Sequence, residues 1–241
     1  MADFIFADDY RLDESPTRNY YETFLKGLVH KHNNLMGVIQ GFSSLVLYDD
    51  AISSEVRDST QQMQDSSKVA SDLNQEVLVA GGCARCEIGA VSLDELATFW
   101  EDKANEICTG NGVGLQSNVR ENIPSVNGDG GKLTDIFTQL VKNAAEEASQ
   151  VDGGSVAIDI FPPGEASPGT NVDLFIRNSS RALDEAALKK SFEPFHTSKG
   201  ADFFGIGLTT AAVLAGQMGM RLGLRYADNT TTAWLAMPPA S

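Results

Sequence analysis

The chain has 241 residues, 42% of them hydrophobic and 21% charged, which is enough for two modest folded units and does not read as disordered. Lys and Arg number 18 against 33 Asp and Glu, and the formal net charge of -15 argues against nucleic acid or an anionic membrane surface as a partner. No apolar run nears the ~20 residues of a membrane span. The start MADFIFADDYRLDESP lacks a signal peptide's basic residues, and three cysteines fit a reducing cytosol, so a cytoplasmic location is expected.

Residues 1–16 read as an N-terminal tail, shorter than the ~50 residues of a sensory domain, so any input is expected to come from elsewhere. Residues 17–80 read as two long helices. In the first, Leu25, Leu28, His32, Leu35, Ile39, Phe42 and Val46 fall at alternating steps of three and four, a heptad seam that ends at Tyr48-Asp49-Asp50. In the second, Val56, Met63, Ala70 and Val77 recur every seven residues with Leu73 beside them, while Ser59 and Ser66 thin the stripe. Two helices with one seam each cannot shield a core alone, so the expected solution is a homodimer in which two hairpins form a four-helix bundle.

Residues 81–91, opening Gly-Gly-Cys-Ala-Arg-Cys, read as a linker, and residues 92–241 as a second domain. Ser92 with Glu95 three positions on looks like an N-cap for a helix reaching about Ile107. Strands are expected at 114–119, 155–161, 171–178, 221–226 and 231–237, and helices at 132–149, 184–190 and 207–218. This mixture predicts an α/β sandwich with helices on one face of the sheet, with Trp100 and Trp234 in its core.

The sharpest chemical signal is His30-Lys31-His32-Asn33-Asn34-Leu35. The heptad frame puts His32 on the seam, to be buried, and His30 opposite, to face solvent. An exposed imidazole can carry phosphate on a ring nitrogen. Asn34, one turn on, lies beside His30 and could orient a water. The hexamer alone fits an ordinary surface histidine equally well. Cys83 and Cys86 form a C-x-x-C without the four ligands zinc needs, and read as linker cysteines.

From Tyr21 to Met237 the chain resembles the histidine kinases of two-component systems. Their phospho-acceptor helix commonly reads His, acidic residue, any residue, Asn, Asn, Leu, which residues 30–35 match except at Lys31. Leu140-Val141-Lys142-Asn143-Ala144-Ala145-Glu146 looks like the N box, whose asparagine holds the magnesium of bound ATP. Phe192-Glu193-Pro194-Phe195-His196-Thr197-Ser198-Lys199 looks like the F box at the start of the ATP lid. Gly205-Ile206-Gly207-Leu208 looks like the second glycine box, where helix-start amides approach phosphates. The resemblance implies an ATPase-like domain of the GHKL (Bergerat) type. If nucleotide binding is retained, Asn143, Asn178, Lys199, Gly205 and Gly207 are the residues for Mg-ATP, with Asn143 on the magnesium.

Two departures run against that chemistry. Fourteen positions before Phe192, where such kinases have Asp-x-Gly-x-Gly against adenine, stands Asn178-Ser179-Ser180-Arg181-Ala182. The carboxylate and both glycines are gone, and Cβ atoms at Ser180 and Ala182 are expected to strain the turn or block the purine, so adenine affinity should be poor. Lys31 replaces the acidic residue that would take the histidine's proton, and a protonated lysine cannot accept one; it can attract a phosphoryl group. The expected function is therefore a histidine phosphotransfer protein passing phosphate between His30 and receiver-domain aspartates of response regulators, with an upstream histidine kinase as a further partner. The alternatives are an ATP-dependent kinase without a sensor, and a non-enzymatic dimeric scaffold that binds a response regulator. Asn34 also leaves room for a phosphatase role.

Overall fold

The computed structural model describes residues 4–10, 15–120, 122–197 and 204–240. It divides into two compact units, Asp13–Cys83 and the combination of Met1–Leu12 with Ala84–Ser241.

The smaller unit is an antiparallel hairpin of α1 (Pro16–Leu47) and α2 (Ser54–Ala80). Ser15 caps α1, its Oγ accepting from Arg18 N at 3.1 Å, and Pro16 takes the first position, where a missing N–H costs nothing. Ser53 caps α2 through Val56 N at 3.3 Å. At the turn, Arg57 donates to Leu47 O and Asp49 O, satisfying carbonyls that the end of α1 leaves open.

The expected seam is rotated. The face of α1 turned to α2 carries Leu25, Val29, Met36, Ile39 and Ser43, whereas Leu28, Leu35 and Phe42 are 53%, 61% and 67% exposed. On α2 the inward residues are Thr60 and Ser67, both buried, while Val56 and Met63 are exposed. Hydrogen bonds tie the two helices together: Gln64 Nε2 to Ser44 Oγ at 2.8 Å, Ser67 Oγ to Met36 O at 3.0 Å, and Asn74 Nδ2 to Asn33 Oδ1 at 2.6 Å. Small polar side chains join the apolar residues between the helices, and a second set of large apolar residues, Leu28, Leu35, Phe42, Val56 and Met63, points away from the hairpin.

The larger unit is built on a six-stranded mixed sheet ordered β1-β7-β8-β6-β5-β3. Its strands are β1 (Ile5–Phe6), β3 (Gly114–Val119), β5 (Ser155–Phe161), β6 (Val172–Ser179), β7 (Arg221–Ala227) and β8 (Thr230–Met237). Only the β3–β5 pair is parallel. A second sheet pairs β2 (Gly89–Val91) with β4 (Val126–Gly128). The helices are α3 (Leu93–Gly110), α4 (Gly130–Ala148), α5 (Glu185–Lys190) and α6 (Gly207–Gln217).

Alternation along the strands separates two cores. Val156, Ile158, Ile160, Leu174 and Ile176 are buried with Leu133, Ile136, Phe137, Leu140 and Val141 of α4. Trp100 of α3 stacks on Phe137 at 4.5 Å and donates its Nε1–H to Thr134 Oγ1 at 3.0 Å. The intervening residues build a second cluster in which Trp234, buried as expected, stacks on Phe175 at 5.9 Å, with Phe4, Phe6 and Phe161 around it. The segment read as a tail thus contributes a strand: β1 pairs antiparallel with β7, and Ala7 N donates to Leu222 O at 3.0 Å. Two further strands went unforeseen, β2 inside the expected linker and β4 before α4; each has three residues, too few to show an alternation.

Candidate functional site

The first group of candidate residues lies on α1. With ~100° of rotation per residue, His30 sits about a third of a turn from the face packed on α2 and a similar arc from the exposed apolar stripe of Leu28, Leu35 and Phe42. Its ring is exposed, and among the described residues no side chain hydrogen-bonds it. Asn34 is exposed on the next turn, and Lys31 is exposed at the adjacent position. His30, Lys31 and Asn34 therefore share one stretch of solvent-facing helix.

His32 is not buried. It is exposed, and its Nδ1 lies 3.0 Å from Asn74 Oδ1 and 2.8 Å from Asn74 Nδ2. Asn74 in turn donates to Asn33, so one amide on α2 orients both residues that follow Lys31. Sequence reading missed Asn74. Its signal was the seven-residue polar series Thr60, Ser67, Asn74, which the apolar series one turn away obscured.

The second group lies in the larger unit. The apolar face of α4 is buried, and Asn143 stands half-buried at its edge. Gly207 opens α6, and a Cβ there would fall 2.6 Å from Gln139 Oε1 and 3.8 Å from Asn143 Nδ2. The fold thus brings Gly207 and Asn143 together, and a side chain at 207 would have to push the Gln139 amide aside. Ile206 holds the N-cap position of α6 and makes no side-chain cap hydrogen bond to it, so among the described residues the first amides of α6 lack a capping side chain.

Gly205 has φ +65°, and a Cβ would meet His196 O at 2.5 Å, so both conformation and space require glycine. Phe192 is buried, and its carbonyl accepts from Thr209 Oγ1 at 2.8 Å, which pins the F-box segment to α6. Lys199 lies outside the described residues.

Asn178 ends up buried near the end of β6, paired with Val156 and Thr231, and its Nδ2 donates to Ser179 O at 2.9 Å. The expected strain beyond it is absent. Neither Ser180 nor Ala182 has positive φ, and β6 runs on extended through Ser179 just before them. The replacements are instead absorbed by local bonds: Ser180 Oγ to Thr231 Oγ1 at 2.7 Å, Ser180 N to Asn229 O at 3.0 Å, and Arg181 Nη2 to Gln150 O at 3.3 Å.

The linker thiols are not poised for chemistry. Burial, and then the charge of Glu22, push Cys83 up; burial, and then Asp129, push Cys86 up. Among the described residues no group of three or more His, Cys, Asp or Glu gathers as a metal site. No described helix is long and apolar enough to cross a membrane.

Residues 128–241 match the family of histidine kinase-, DNA gyrase B-, and HSP90-like ATPases. Over 107 residues, 44% of this chain, the sequence is 31% identical to Sporulation kinase A of Bacillus subtilis (strain 168), a stretch that takes in 16% of that protein. Full-length ShkA, solved in complex with AMPPNP, superposes with a TM-score of 0.75 at 20% identity, covering 91% of this chain and 46% of ShkA. Histidine kinase AdeS of Acinetobacter baumannii gives 0.56 at 12% identity, over 85% of this chain and 95% of AdeS.

The mixed sheet, the helices packed on it and the family match together define a GHKL-type α/β ATPase domain. The ShkA superposition takes in the helical hairpin as well as the larger unit, so both share the fold of part of that protein. The chain spans less than half the length of ShkA, and its match reaches only a small part of Sporulation kinase A.

Proposed function

We propose that the chain works in two-component signalling as a histidine phosphotransfer protein, with His30 receiving and returning a phosphoryl group from response-regulator aspartates. The observation that carries this reading is the exposed ring of His30, clear of both apolar faces of α1 and followed by Lys31 instead of a proton acceptor. A receiver aspartyl phosphate needs no general base on the histidine side beyond the neutral imidazole itself, whereas attack on ATP is helped by one. Lys31 adds a positive charge beside the transferring group, and Asn34 is placed to hold a water or a phosphoryl oxygen. The internal bonds of Ser180 and Arg181 in the segment after Asn178 support a weakened adenine site.

In the proposed assembly two hairpins pair into a four-helix bundle through the exposed apolar residues of α1 and α2. The domain plan is a hairpin over residues 17–80, a linker over 81–91 and an ATPase-like domain from 92 onward. Incubation with phosphorylated receiver domains should label the protein. His30→Ala should abolish the label, while His32→Ala should keep it and loosen the contact with Asn74. Failure of every receiver of the host to transfer would defeat the proposal.

The second reading is an ATP-dependent histidine kinase, favoured by the uncapped start of α6 beside Asn143 and by the glycines at 205 and 207. Asn143 would hold magnesium, and the α6 amides with Lys199 would meet phosphates. ShkA was solved with AMPPNP, which makes the test direct. Calorimetry with Mg-ATP showing micromolar binding, together with His30 labelling from ATP, would establish this reading over the first.

A further inference from the structure

Within the N-terminal residues 4–10, Ile5 and Phe6 pair antiparallel with β7, and Asp8–Tyr10 turn into a short 3-10 helix beside α6. Three outward-facing pairs follow one another along the segment. Arg225 lies over the Phe4 ring at 4.9 Å. Gly223 faces Phe6, so closely that a Cβ would stand 3.0 Å from the ring. Arg221 lies over Phe6 at 3.9 Å and grips both carboxylate oxygens of Asp8, at 3.2 and 2.6 Å. Both phenylalanines reach Trp234 edge-on, at 5.2 and 5.5 Å. The Arg-Leu-Gly-Leu-Arg run of β7 therefore reads as a receptor for Phe-x-Phe-x-Asp: the glycine makes room for a ring, and the flanking guanidiniums clamp the rings and the carboxylate.

No turn joins this segment to β7, and β1 contributes only two residues to the sheet. Two rings, the buried Ala7, packing beside α5 and α6 and an exposed ion pair must offset the ordering of about seven residues, and these opposing contributions are of similar size. Such a strand opens without the rest of the sheet. Its position in the chain gives the opening a consequence. Residues 11–14 alone separate it from Ser15, the cap of α1. After α2, Gly81 packs against Leu25 of α1.

We propose that residues 4–10 are a detachable strand ligand of the β7 edge, which when docked ties the start of the His30-bearing helix to the ATPase-like unit by a second tether. Released, they leave the linker after α2 as the only connection and expose a site for an aromatic-x-aromatic-x-acidic strand. The proposal does not depend on the direction or source of phosphate transfer.

Hydrogen exchange on the full chain tests it first. The amides of Ile5 and Ala7 should exchange at least about tenfold faster than those shared by β6 and β8, which open only globally. Equal rates would make the segment an integral part of the fold and overturn the proposal. In full-length Phe4→Ala/Phe6→Ala, protection of residues 4–10 should vanish while β6 and β8 keep theirs, and a synthetic peptide of residues 2–10 should then bind the variant saturably in calorimetry. A variant that unfolds, or a peptide that fails to bind, would each overturn it. Phe6 and Gly223 form a non-hydrogen-bonded pair, the close kind suited to a disulfide. Oxidised Phe6→Cys/Gly223→Cys should run as a cross-linked single chain, and a cross-linked dimer would show the segment serving a second copy instead of its own.

Discussion

Asp129 stands at the start of α4 with its Oδ1 accepting from Lys132 N at 3.1 Å and its Oδ2 from Glu87 N at 2.8 Å. Burial works against its ionisation, but the amides of Glu87, Lys132 and Gly131, aided by the Lys132 charge, outweigh it and hold the carboxyl below its usual range. A depressed folded pKa gives stability that is present above the unfolded value of about 3.9 and is lost as pH falls through the folded value. Asp129→Asn keeps the cap and removes the charge. Urea midpoints should show the variant less stable at pH 7, with the gap closing as the pH falls through the carboxylate range. A gap that stays constant with pH would refute the assignment. Thr134 offers a second test. It accepts the buried indole N–H of Trp100, so Thr134→Val preserves shape and strands that donor, at a cost of about 1–3 kcal/mol read from the same midpoints. Gly205→Ala meets both a left-handed backbone and the His196 carbonyl, so it should shift the F-box segment and weaken Mg-ATP binding wherever such binding is measurable.

Helix α1 carries glycines at 27, 37 and 41, and a Cβ built at any of them meets nothing within 4 Å. Glycine inside a helix is destabilising by roughly 0.5–1 kcal/mol against alanine, so Gly37→Ala and Gly41→Ala should each raise the hairpin's stability by about that much, and the pair should add. Thermal melts followed by helical circular dichroism would show a higher midpoint, and a lower one would mean the helix needs those backbones bare. The same helix shows where sequence reading succeeded and where it did not. Its length and its end at Tyr48 follow from local chemistry and were legible, while the Ser15 cap one residue before Pro16 was not read. Which of its two apolar faces meets α2 was not, because a heptad pattern gives spacing without naming the partner. The β3 and β5 strands were read to the residue, β5 from its β-branched residues between turns. β1 escaped because its two residues become a strand only through Gly223, Trp234 and Arg221, more than two hundred positions away. At the site, the loss of Asp and Gly after β6 was visible, but how the chain accommodates it was not: Ser180 finds Thr231 across the sheet, and the strand needs no turn there.

At the scale of the molecule, the proposed dimer must bring together two chains that each carry a net charge of -15. Like charge opposes association, so the attraction must come from the exposed stripe of Leu28, Leu35, Phe42 and Leu45, with Val56 and Met63 of α2 adding to it. Burying a side chain of this size contributes about 1.5–3 kcal/mol, and two copies meet in a symmetric interface. Leu35→Asp or Phe42→Asp removes that burial from both protomers and adds two more negative charges, so either should weaken the dimer by at least a hundredfold in sedimentation. Salt separates this account from one based on ion pairs. Screening lessens repulsion between the acidic chains and leaves apolar burial intact, so raising ionic strength from about 0.05 to 0.5 M should tighten the dimer. A dimer held by exposed ion pairs would loosen over the same range. If the wild-type chain loosens in salt, or sediments as a monomer at micromolar concentration, the exposed stripe of α1 does not join two copies, and the four-helix bundle has to be given up even if His30 transfers phosphate.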